Sequence, residues 1–137
     1  MTKPRVLIVE DDKLSRTRYE KLLPDEFFEK QFAMDGEEAL SAYNKWNPNF
    51  IILDIMIPGI SGYNVLKTIR QEIHDTKTAV IMVTSKSDQS DVMDCMKLGV
   101  QGYLIKPLNT HVLIKLKKLI MDLWATTEQP SGSVQTT

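Results

Sequence analysis

The chain has 137 residues, enough for one globular domain of ordinary size with little room for a second. Apolar residues make up 42% and charged residues 26%, with a net charge of −1, so it can bury a core, and direct nucleic-acid binding through bulk charge is not expected. The longest apolar runs fall far short of a membrane span, the N-terminus carries no signal-like apolar stretch, and a lone cysteine, Cys95, excludes an internal disulfide and fits a reducing cytoplasm.

Short apolar runs alternate with amphipathic stretches along the chain. The β-branched run RVLIV predicts a strand over Arg5 to Val9, and Lys13 to Leu23 follows with helical character. Glu29 to Ala33 is a weaker strand candidate; Glu37 to Trp46 is helical, with Ala39, Leu40 and Tyr43 on one face. Phe50 to Leu53 is apolar at consecutive positions, as a strand covered on both faces requires. A helix over Tyr63 to Glu72, a strand over Ala79 to Val83 and a helix over Ser87 to Leu98 come next. A short strand at Tyr103 to Ile105 and a helix from Thr110 to Trp124 complete the pattern. Five strands alternating with five helices predict an α/β fold, a parallel sheet between two helical layers joined by right-handed crossovers. Residues 1–125 form the expected domain, and 126–137, rich in Thr, Ser, Gln, Pro and Gly, read as a disordered tail or the start of a linker.

Ligands of an open parallel sheet bind beyond the carboxyl ends of its strands. Those positions hold Glu10, Asp11 and Asp12 after the first strand, then Asp54, Met56 and Pro58 after the third. Thr84 and Ser85 follow the fourth, and Lys106 and Pro107 the fifth. Any one of these has an ordinary explanation: Asp12 suits a helix N-cap, Thr84 a helix entry, Lys106 a solvated amine. Together they are a specific set. Clustered carboxylates repel unless protonated or neutralised, and Mg²⁺ favours one or two carboxylates, waters and a phosphate oxygen. A carboxylate can also be the nucleophile in phosphoryl transfer, with an ammonium and a hydroxyl stabilising the charge on the transferring group. Lys106 and Thr84 supply those two groups.

The segments VLIVEDD, FIILDIMIPGISG, VIMVTS and GYLIKP resemble the signature segments of response-regulator receiver domains in two-component signalling. The spacings agree: Pro58 lies four residues and Gly62 eight after Asp54, and Lys106 lies 22 after Thr84. The resemblance covers about Lys3 to Leu123 and implies a flavodoxin-like (βα)5 doubly wound fold with strand order 2-1-3-4-5. It further implies that Asp54 accepts a phosphoryl group from a histidine kinase or phosphotransfer protein. Asp11 and Asp54 would hold Mg²⁺ directly, Glu10 through water, and Met56 through its carbonyl. Lys106 would pair with Asp54 in the free state and then meet a phosphoryl oxygen, its bond to Pro107 being cis. Thr84 and Tyr103 would be the switch pair, biasing the face of the fourth helix, fifth strand and fifth helix, with Gln89, Met93, His111 and Lys115 on it, toward an effector protein or output domain.

Two departures sharpen this reading. Met56, apolar at the second position after the acceptor, cannot orient an attacking water, which implies a long-lived phosphoryl group, with Lys86 adding shielding or charge pairing. It also disfavours the haloacid-dehalogenase-like phosphatases, which place a second aspartate there. The intact Glu10, Asp11, Asp54, Thr84 and Lys106 set argues against a pseudo-receiver that only binds partners. Val100 to Pro107 lacks the acidic pair that supports dimers of many receivers, so a monomer or weak dimer is expected. The expectation is a switch rather than a metabolic enzyme, catalysing only its own phosphorylation and dephosphorylation. His74 and His111 lack metal-ligand spacing, Cys95 sits among apolar neighbours, and Trp46 and Trp124 suit packing at helix ends.

Overall fold

The computed structural model describes residues 2–128. Its elements are β1 (Arg5–Val9), α1 (Lys13–Leu22), β2 (Glu29–Ala33), α2 (Gly36–Trp46), β3 (Phe50–Leu53), α3 (Gly62–Lys67), β4 (Ala79–Thr84), α4 (Gln89–Lys97), β5 (Gly102–Ile105) and α5 (Thr110–Glu128). The sheet runs β2-β1-β3-β4-β5 with every neighbouring pair parallel, the doubly wound arrangement expected.

Alternate residues of the central strands feed two cores. Leu7, Val9, Ile51, Leu53, Val80 and Met82 meet Ala39 and Tyr43 of α2, Val65 and Leu66 of α3, and Cys95 of α4. Val6, Ile8, Ile52, Ile81 and Val83 meet Tyr19 of α1 and Leu116 and Ile120 of α5. Both faces being covered explains why β3 and β4 read as unbroken apolar runs. β2, at the sheet edge, is half exposed, which explains its weaker signal. Trp124 packs edge-on against Phe50, and the Arg5 guanidinium lies 5.8 Å from the Trp46 ring centre.

Most boundaries agree with expectation to within one residue, and three helices differ by more. The helix predicted over Tyr63 to Glu72 is α-helical only to Lys67; Thr68–Glu72 is wound as a π-helix. α4 is shorter at both ends than Ser87 to Leu98. α5 passes the predicted end at Trp124 and runs to Glu128. The Thr126 and Thr127 hydroxyls there donate to the Asp122 and Leu123 carbonyls at 3.2 and 3.1 Å, so side chains that suggest a loop instead bond back along a helix. The rest of the expected tail, residues 129–137, lies outside the described residues. Among the described residues no helix is long and apolar enough to cross a membrane.

Candidate functional site

Parallel pairing brings the last residues of β1, β3, β4 and β5 to one edge of the sheet. Glu10 and Asp54 each follow a run of four buried strand residues, and both remain buried, at 2% and 5% exposure. Lys106 joins them. Its Nζ lies 2.7 Å from Asp54 Oδ2 and 2.9 Å from Glu10 Oε1. Burial works to lower the Lys106 pKa, but hydrogen bonds and charge from Asp54 and Glu10 outweigh it and hold the ammonium above its ordinary value.

The remaining carboxylate oxygens are tied to main chain. Asp54 Oδ1 accepts from the Met56 N–H at 2.9 Å, and Glu10 Oε2 from the Asp12 N–H at 3.1 Å. Lys106 is placed by its own N–H, which donates to the Thr84 carbonyl at 2.9 Å, and the Lys106–Pro107 bond is cis as expected. Thr84 is fully buried, and its hydroxyl oxygen accepts from the Lys86 N–H at 3.3 Å. Tyr103 donates its hydroxyl to the Lys86 carbonyl at 2.7 Å, and burial pushes its pKa up to about 12.

Glu10, Asp54 and Lys106 thus meet in one ion-paired cluster, with Thr84 and Tyr103 converging on the adjoining loop. Asp11 is exposed next to Glu10. Asp12 goes elsewhere: it caps α1, accepting from the Ser15 N–H and hydroxyl at 2.9 and 2.8 Å, which holds its carboxyl below the usual range. Asp12 therefore stands outside the cluster.

Among the described residues no three or more His, Cys, Asp or Glu side chains are grouped as a metal cage. Mg²⁺ needs no such cage, since it is held by one or two carboxylates with several waters retained. Here two buried carboxylates share a single ammonium, with Asp11 adjacent, so this edge carries excess negative charge. The donor chemistry fits a hard cation.

One contributor leaves no mark in the sequence, and another is marked without its reason. The Lys86 carbonyl is main chain, so no residue type announces it. Gly62 is required because a Cβ there would run into the Asp54 carbonyl and come within 2.9 Å of the Ile55 Cα. A cavity of about 430 Å³ lined by Phe50, Lys77, Ala79 and Trp124 lies at the amino ends of β3 and β4, at the opposite pole, and takes no part in this cluster.

A family model described as the response regulator receiver domain matches residues 6–118. The probable transcriptional regulator ycf27 of Porphyridium aerugineum is 35% identical over 113 residues, covering 82% of this chain and 46% of that protein. The chain spans about half the length of such curated relatives. The receiver domain of Francisella response regulator 1452 superposes with a TM-score of 0.81 at 27% identity, over 92% of this chain and 100% of that one. The Mn²⁺-bound form of response regulator Rcp1 gives 0.76 at 27% identity, over 92% and 97%.

Proposed function

Since the chain belongs to the response regulator receiver domain family of two-component signalling, we propose that Asp54 is its phosphoryl acceptor. The observation that carries this is the buried Asp54 carboxylate, held at 2.7 Å by the Lys106 ammonium at the carboxyl edge of the sheet. A carboxylate oxygen of Asp54 attacks phosphorus of a phosphohistidine on a kinase or phosphotransfer partner. The P–N bond breaks as the P–O bond forms, and the imidazole leaves. Lys106 then exchanges a carboxylate partner for a phosphoryl oxygen, while Glu10 keeps the ammonium aimed. Asp11, Asp54 and the Met56 carbonyl would hold Mg²⁺, with Glu10 reaching it through water; the ion supplies neutralisation of the charge on the transferring group.

The phosphoryl group adds about −1.5 to −2 charges. Thr84 answers this by turning its hydroxyl from the Lys86 N–H toward phosphate. Tyr103 is tied to the same loop through the Lys86 carbonyl, so the two side chains report one event. The readout is protein contact through α4, β5 and α5, whose exposed residues include Met93, Met96, Ile105 and Ile114. The protein acts as a cytoplasmic switch and catalyses only its own phosphorylation and dephosphorylation. Phosphotransfer from candidate kinases with Mg²⁺ tests the assignment: Asp54 labels, and Asp54→Asn does not. Label retained in Asp54→Asn defeats the proposal.

A further inference from the structure

Met56 is attached to the site by its backbone and open to solvent by its side chain. Its N–H is fixed on Asp54 Oδ1 at 2.9 Å, while the residue remains 57% exposed. The Ser85 hydroxyl, one residue beyond Thr84, donates to its sulfur at 3.9 Å. The thioether therefore links the segment after β3 to the segment after β4, two residues from Asp54.

The other exposed methionines among the described residues stand elsewhere. Met93 and Met96 lie on α4, Met121 lies on α5, and Met34 follows β2 with its N–H bound to Glu38 Oε1. Cys95 is fully buried, and burial with Asp91 and Asp94 nearby pushes its thiol up to about 11, so it is screened and protonated. The oxidisable sulfur at the phosphoryl site is Met56.

We propose that Met56 is a redox-modification site that sets the lifetime of the Asp54 phosphoryl group, an inference resting on the acceptor reading above. Hydrogen peroxide is the oxidant class. The sulfur lone pair attacks one peroxide oxygen, an S–O bond forms and the O–O bond breaks. The departing oxygen takes up the proton from the transferred one and leaves as water. Sulfur loses two electrons and peroxide gains two. A weak acceptor becomes a strong one, the sulfoxide oxygen, beside the Ser85 hydroxyl and two residues from the acceptor. That oxygen orients an attacking water, which the thioether cannot. Oxidation thus turns a slow switch into a fast one, and reduction by a methionine sulfoxide reductase restores it.

The test uses the whole chain labelled at Asp54 by acetyl phosphate with Mg²⁺, before and after graded hydrogen peroxide. Peptide mass spectrometry gives the sulfoxide occupancy of each methionine, and decay of the label gives the lifetime. The expected result is decay faster by about tenfold, below the ~10² of a true general base. The rate should track Met56 sulfoxide and return on reductase treatment. Met56→Leu, which keeps the other exposed methionines, should decay at one rate with or without peroxide. Unchanged decay in a wild-type chain carrying Met56 sulfoxide overturns the inference, as does equal acceleration in Met56→Leu. Failure of the untreated chain to label at Asp54 instead defeats the acceptor reading, and this inference with it.

Discussion

Asp75 shows how strongly a single carboxylate can be specified away from the site. Its Oδ1 accepts from the Lys77 and Thr78 N–H groups at 2.8 and 3.0 Å, and its Oδ2 from the Tyr43 and Thr78 hydroxyls at 2.5 and 2.6 Å. Burial works to raise its pKa, but these bonds outweigh it and hold the carboxyl well below its ordinary value of 3.8. A folded pKa below the unfolded one means that the ionised form stabilises the fold. That contribution is complete above the ordinary carboxylate range and is lost as pH falls through it toward the lowered folded value. Urea unfolding at stepped pH should find Asp75→Asn less stable near neutrality, with the gap to wild type closing from about pH 4 downward. A gap independent of pH would assign the loss to something other than ionisation. Lys77 and Thr78 are local partners, two and three residues on, but the Tyr43 bond was not visible from spacing: Tyr43 reads as a core residue of α2, and nothing in the sequence says that its hydroxyl reaches across to a loop. Asp12, by contrast, could be read as a cap, because its partner Ser15 is three residues away.

At the scale of elements, α4 is held by polar ties more than by packing. Cys95 is its one buried side chain, and its N-cap Asp88 makes no side-chain capping bond. At its carboxyl end Arg70, on the π-helical turn, donates to the Leu98 and Gly99 carbonyls at 2.9 and 3.0 Å. The same guanidinium reaches the Asp75 carbonyl at 2.8 Å and Gln101 Oε1 at 3.3 Å. At the other end, the Tyr103 hydroxyl grips the Lys86 carbonyl. Charge-assisted bonds contribute about 1.5–3 kcal/mol each, so Arg70→Ala should raise amide exchange across Gln89–Lys97 by about tenfold or more while β1, β3 and β4 stay protected. A uniform rise over the whole chain would mean that Arg70 supports the fold and not α4 in particular. The central strands were legible because burial on both faces writes an unbroken apolar run. The π-helical turn was not, since its residues keep a helical pattern of apolar positions. The end of α5 was misread because threonine in solvent and threonine bonded back to a carbonyl look alike in sequence.

For the molecule as a whole, the sheet gathers Glu10, Asp54, Thr84 and Lys106 from four strands onto one edge. That placement was legible because strand-end position is a topological rule, independent of side-chain detail. What the rule could not give is which carboxylates turn inward: Glu10 and Asp54 do, and Asp12 does not. Excess negative charge at that edge should link folding to divalent cation. Mg²⁺ at a hundredfold excess over its Kd should stabilise the wild type by about 2.7 kcal/mol, and Asp11→Asn should lose most of that gain. Thermal unfolding with Mg²⁺ and with a chelator measures both. Equal stabilisation of the two chains would remove Asp11 from the metal site.

Gly62 carries no functional group, yet the backbone next to Asp54 leaves no volume for even a methyl group on it. In a saturation library selected for signalling, Gly62 should therefore be as intolerant as Asp54, and a tolerance map alone would mark it as part of the chemistry. Scoring the same library for folded abundance separates the two causes. Asp54→Asn should remain abundant and silent, whereas Gly62→Ala should be depleted at both readouts.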